Sequence, residues 1–305
     1  MLRFHLILFL FSYAALSATP VSAAAPLSSA SVLTEGSVAV AGVIVSKDSD
    51  SKQVILRVDA KAEFFAGESL RVFLRDGDFS IYKAGDRIRA DLRARAAALE
   101  LASVWPDGSN ERGILQSLNH RLRLDTSSRG KFPFRSTGEF LPPFALVNQR
   151  GGITQSASLH GHYVVMNFIF SRCMVATMCP LSTQKMRSLR SDLSEQSELD
   201  VKLVSISLDP SYDTPGVFHE YAAAYGFPAE GIDFLSGPAQ AVEDLKAQLG
   251  VLAQPDEKLV VKHTLMVVVA DPLGKIIYEI PGSGWSSQDI LNKIVNHAQS
   301  SNHAR

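Results

Sequence analysis

Cysteine is nearly absent from this chain: 305 residues hold only Cys173 and Cys179. That excludes a disulfide-stapled scaffold, and a chain of this length with 46% hydrophobic residues can bury a core without one. Two cysteines separated by five residues therefore read as chemical rather than structural. An excess of one charge is also lacking. Lys plus Arg is 30, Asp plus Glu is 31, and the formal net charge is -1. Neither a nucleic-acid partner nor an acidic tail is indicated. Past the N-terminus, no apolar run is long enough to cross a bilayer. Histidine and methionine are missing altogether between Ser31 and Asn110, which leaves that stretch no soft metal site. There is no internal repeat and no low-complexity segment.

The N-terminus has the form of a secretory signal. Arg3 supplies a positive start, an apolar run extends from Leu6 to about Leu16, and small residues end at Ala23. The apolar run is short for a membrane span of ~20 residues. No cysteine lies near the cleavage site, so it is not a lipoprotein signal. Residues 1–23 are expected to be a signal peptide and the mature protein periplasmic or otherwise extracytoplasmic, where thiols tend to oxidise. An uncleaved signal would instead hold it at the membrane.

The remaining length fits about two domains. Residues 31–110 carry short alternating segments, "VAVAGVIVS", "QVILRVD", "LRVFLRDGDFSIY", "KAGDRIRADL" and "AALELASVW". They predict five or six strands, with hairpins at "KDSDSK" and at Asp76-Gly77-Asp78, and a small all-β barrel of the OB type. Residues 111–137 are polar with scattered Gly, Ser and Pro and read as a linker. Over 138–300 the pattern changes. "YVVMNFIF" and "VKLVSISLD" are buried strands, "PLSTQKMRSLRSDLSEQ" and "TPGVFHEYAAAYG" are helices, and "KHTLMVVVADPLGKIIYEI" is a late hairpin. The order β-α-β-α-α-β-β-α is that of a thioredoxin-like α/β domain, a mixed sheet flanked by helices.

In that frame Cys173 follows the first buried strand. Cys179 immediately precedes Pro180, and proline is favoured in the first turn of a helix. The helix dipole there is expected to lower the Cys179 pKa. Residues six apart in a helix are rotated by roughly 600° and share no face, so the pair converges only if "MVATM" arches out first. His263, at the start of the late hairpin, is the candidate third partner. No proline stands just before that strand, where thioredoxin-type oxidoreductases usually carry one. Two sulfurs and an imidazole suit copper, as Cu(I) or Cu(II).

These segments resemble the Sco (SCO/SenC) family of copper chaperones. The resemblance is carried by Arg172-Cys173, Cys179-Pro180, Asp209-Pro210 with Asp213-Thr214, and His263, in order. It implies a thioredoxin-like fold, a copper cofactor held by Cys173, Cys179 and His263, and a copper-receiving partner in the form of a cytochrome c oxidase subunit. The departure is the spacing: five residues separate the cysteines where the family usually has three, and Met174 and Met178 lie between them. They could supply thioethers, although filling apolar gaps is the plainer role. Asp213 is expected to be structural, just ahead of a helix capped by Thr214. Asp209 stands between a turn role and the metal region. Tyr212, Trp285 and His219 receive no chemistry. The barrel faintly resembles periplasmic copper-binding barrels through "AGDRIRADL", but without His or Met it is expected to bind no copper. The rival to a metallochaperone is a thiol-disulfide oxidoreductase that uses Cys173 and Cys179 as a redox pair on a copper-receiving protein. A structural disulfide between them is the third possibility.

Overall fold

A computed structural model describes residue 33 and residues 36–95, 98–196, 198–228, 230–254 and 262–303. The expected signal peptide lies outside these residues.

The first unit is a closed five-stranded barrel, β1 (Ser37–Asp48), β2 (Gln53–Val58), β3 (Ser69–Phe73), β4 (Arg87–Arg95) and β5 (Ala98–Pro106), in the order β1-β2-β3-β5-β4. β1 pairs antiparallel with both β2 and β4, which closes the ring. This is the arrangement of an OB barrel, as the alternation predicts. Ile44, Leu56, Val72, Ile88, Leu92 and Leu101 are fully buried inside it. The hairpin expected at Asp76-Gly77-Asp78 is instead a short helix, α1 (Asp76–Ile81). β3 has β2 and β5 as neighbours, so the chain must cross the barrel to reach β4, and a tight turn cannot do that.

The stretch read as a linker also differs. Residues 109–128 form a 20-residue helix, α2 (Ser109–Ser128). Its polarity hides it, because only Leu122 and Thr126 are buried along its length. It docks through a side chain that imitates a strand. Asn119 donates to the Ala145 carbonyl (2.9 Å) and accepts from the Ala145 N–H (3.0 Å) at the start of β6 (Ala145–Asn148).

The second unit is a seven-stranded mixed sheet. β6, β7 (Ile153–Gln155), β8 (Tyr163–Ile169), β9 (Val201–Ser207), β10 (Asp233–Ser236), β13 (Met266–Ala270) and β14 (Ile276–Pro281) are ordered β14-β13-β8-β9-β10-β6-β7. β8, β9 and β10 run parallel, and the flanking strands run antiparallel. Every residue of β8 is buried, as a central strand covered on both faces requires. Helices α3 (Cys179–Ser194), α4 (Pro215–Ala224), α5 (Ala239–Gln248) and α6 (Ser287–His303) flank it, with α3 against α6 and α2 against α5. Sequence reading passed over β10, whose four residues are too few to show a period. β11 (Ala253–Gln254) and β12 (Lys262–His263) form a separate two-stranded ribbon. The result is the thioredoxin-like architecture expected from the element order. The two units meet where α1 packs against α4, and the Gly77 N–H donates to Glu220 Oε1 on α4 (2.8 Å).

Candidate metal centre

β8 ends at Ile169, and its continuation sets the first cysteine. The Cys173 N–H bonds back to the Phe170 carbonyl (3.2 Å), which turns the Cys173 side chain inward to 9% exposure. Residues 174–177 then bulge into solvent. The chain returns at Cys179, the first residue of α3, with Pro180 beside it in the first turn. Proline costs nothing there, since its missing N–H would have no partner inside the helix. Met186, Leu189 and Leu193 seat α3 in the core.

The two thiols meet. Neither cysteine is in a disulfide, both are buried, and Cys173 lies beside Cys179. The arch that convergence requires is present. The expected low pKa is not: burial pushes the Cys179 thiol far up, against an opposing backbone hydrogen bond from Phe170, and the neighbouring Cys173 raises it further. Cys179 has no exposed surface, and loss of water outweighs the helix dipole.

Around the pair lies a brace that sequence reading found only in part. Asp213 is fully buried. It accepts hydrogen bonds from the Ser171 N–H and hydroxyl and from Ser207 Oγ (2.6 Å), tying the end of β8 to the end of β9. Burial raises its carboxyl to about 6 against those two hydroxyls. Thr214 caps α4 by accepting from the Val217 N–H, so the structural reading of both residues holds. Asp209 forms an ion pair with Arg172, the residue before Cys173, and Arg172 stacks 4.1 Å over the Tyr212 ring. Asp209 and Tyr212 thus grip the cysteine loop by its neighbour, a role invisible in the sequence because Arg172 lies 37 residues before Asp209 along the chain. A buried relay lies beneath: Ser205 Oγ donates to Asn167 Oδ1 (2.6 Å), and Asn167 Nδ2 donates to Ser182 Oγ (2.8 Å). It pins the first turn of α3 to β8 and β9. A polar Asn in the apolar run of β8 was the available signal.

His263 lies in β12, where its backbone pairs with Ala253. Because β13 runs antiparallel to β8, with Val267 beside Asn167, the start of β13 lies at the sheet end where β8 leads into the cysteine loop. The His263 backbone precedes that start by three residues. Its side chain is outside the described set, so the thiols are the two predicted donors brought together among the described side chains. Trp285 is buried, and its carbonyl accepts from Lys185 Nζ (2.6 Å).

A thioredoxin-like domain with a buried, convergent cysteine pair astride a strand-to-helix turn is the class defined by fold and site. The SCO1/SenC family model matches residues 134–299, and the chain belongs to that family. It is 32% identical over 143 residues to the SCO1 protein homolog of Bacillus subtilis, covering 46% of this chain and 72% of that protein. It is 27% identical over 163 residues to mitochondrial Protein SCO2 of Saccharomyces cerevisiae, covering 52% of each, so it spans about half of that relative's length. Among solved structures, the copper-bound ScoI of Arabidopsis thaliana aligns with 53% of this chain and 99% of its own, at 22% identity and a TM-score of 0.48.

Proposed function

We propose that this protein is a copper-binding metallochaperone that takes one copper ion between Cys173, Cys179 and His263 and delivers it to the copper site of a cytochrome c oxidase subunit, outside the cytoplasm. The observation that carries this reading is the contact between the two buried thiols at the head of α3. Two soft sulfurs side by side fit a copper ion, and an imidazole would make the site acceptable in either oxidation state. Copper is cargo here. Uptake displaces the thiol protons to solvent, so affinity rises with pH. Asp213 and the Arg172–Asp209 pair hold the first sulfur in place, and the Asn167–Ser182 link holds the second. Membership of the family supports delivery to an oxidase subunit.

The rival reading, thiol-disulfide exchange on a partner, needs an accessible thiolate. Cys179 is wholly covered, so a partner's disulfide cannot reach its sulfur directly, which favours metal over exchange. Titration of the fully reduced protein with copper, followed by its spectrum, tests the proposal. One equivalent should bind, and Cys173→Ser, Cys179→Ser and His263→Ala should each weaken it sharply. If His263→Ala changed neither affinity nor spectrum, the three-ligand set would be wrong.

A further inference from the structure

The methionines among the described residues fall into two kinds. Met166 and Met186 are buried, and Met178 and Met266 are partly buried against the same core. These four fill apolar space. Met174 is 92% exposed. It follows Cys173 directly and stands on the outer side of the arch, while its neighbour faces inward. A long apolar side chain held in water next to a metal-binding pair gains nothing from packing. What it offers is a thioether sulfur, a soft donor that needs no proton removed before it binds Cu(I).

The pair behind it has the opposite property. Cys173 is 9% exposed and Cys179 not at all, and both must shed protons before they hold metal. A partner carrying or receiving copper cannot lay its own ligands directly against Cys179, which has no exposed surface, and residues 174–177 are the exposed stretch between the two cysteines. Met174 is the one exposed sulfur there among the described residues.

We infer that Met174 is a gateway ligand: its thioether takes Cu(I) from solvent or donor, passes it to the Cys173–Cys179 pair, and takes it up again on release. This rests on the copper reading above. On loading, the Met174 sulfur lends a lone pair to Cu(I), Cys173 and Cys179 lose their protons to water as their sulfur–copper bonds form, and the thioether lets go. The metal remains Cu(I) throughout, so no oxidant or reductant enters. Release reverses the order. The wider spacing of the cysteines in this chain supplies the room for such a residue on the lip of the site.

The test uses the full-length reduced protein loaded with one Cu(I) and mixed rapidly with an excess of a coloured Cu(I) chelator, which cannot dock as a protein would. Met174→Leu keeps the size and apolar character and removes the sulfur. Transfer to the chelator should slow about ten-fold while equilibrium affinity stays within about two-fold of the parent. Met178→Leu should leave the rate unchanged. An unaltered rate in Met174→Leu overturns the gateway and leaves the residue an apolar contact for a partner. Slowing by Met178→Leu alone overturns the assignment to Met174. Failure of the parent protein to take up copper defeats the copper reading itself, and is seen before any chelator is added. Methyl-labelled methionine gives a second readout: sub-stoichiometric Cu(I) should broaden the Met174 signal by exchange, and a sharp, unmoved Met174 methyl counts against the proposal.

Discussion

Gly216, in the first turn of α4, faces Asp78 of the barrel so closely that a β-carbon on it would come 2.1 Å from Asp78 Oδ1; one on Gly77 would come 2.0 Å from the Gly216 carbonyl oxygen. Neither position has room for a side chain. Gly216→Ala and Gly77→Ala should therefore each force the two units apart, at about 1–3 kcal/mol, the usual cost of overpacking. Urea denaturation reads the loss, and limited proteolysis should show earlier cleavage between the units. Wild-type midpoints in both variants would mean the contact does not form in solution.

The same junction carries a pH dependence. Asp78 is 1% exposed, its Oδ1 has no hydrogen-bond partner, and burial raises its carboxyl to about 7, with Arg75 pulling down and Glu220 pushing up. Unfolded, it titrates near 4. The folded state then holds the extra proton between about 4 and 7, so this group makes stability fall as pH rises through that window. Asp213, raised to about 6, acts with the same sign. Asp78→Asn should flatten part of the slope and raise stability at neutral pH. Denaturation midpoints across pH 4 to 8 decide it; an unchanged slope rules Asp78 out.

Oxidation should abolish copper binding, since a disulfide has no thiolate to offer. The thiols already lie side by side, so air oxidation should close Cys173 to Cys179 within one chain. Thiol counts falling to zero with monomeric gel mobility would agree. Disulfide-linked dimers as the main product would not.

Truncation separates metal binding from stability. A protein of residues 137–305 retains both cysteines and His263 and should bind one copper. It lacks α2, however, so it loses the buried Leu122 and the Asn119–Ala145 bonds, and it should be less stable by at least about 2 kcal/mol. A protein beginning at 108 should recover most of that deficit. Equal stability of the two would show that α2 is dispensable. Loss of half the copper on truncation would reveal a second site in the barrel.

The brace is tested by Asp209→Ala. It frees Arg172 from its ion pair and should weaken copper binding about ten-fold, as loss of groups supporting a ligand commonly does. Unaltered affinity would mean that the loop is held well enough by Asp213.

Much of this was legible in the sequence because it obeys local rules. The apolar run of β8, the Cys-Pro step at the head of α3 and the period-two strands of the barrel each announce themselves within ten residues. What stayed hidden depends on distant neighbours. α1 replaces a hairpin because of where β4 lies across the barrel. α2 looks like a linker because a helix touching the core along one narrow line can be polar elsewhere. The Cys179 thiol reverses its expected direction because burial, which spacing cannot report, overrides the dipole. Arg172, Asp209 and Tyr212 come together only when the ends of β8 and β9 do.

The solvent-exposed arch at 174–177 has a consequence for how such proteins vary. Nothing in the core reads its length. For a flexible loop, doubling the number of residues changes closure entropy by only about 0.6 kcal/mol. Residues can therefore be added or removed between Cys173 and Cys179 almost without reference to folding, while every such change alters what stands in front of the sulfurs. On the gateway proposal, the interval between the two cysteines is a dial for the rate at which metal comes and goes, set apart from the machinery that keeps the protein folded.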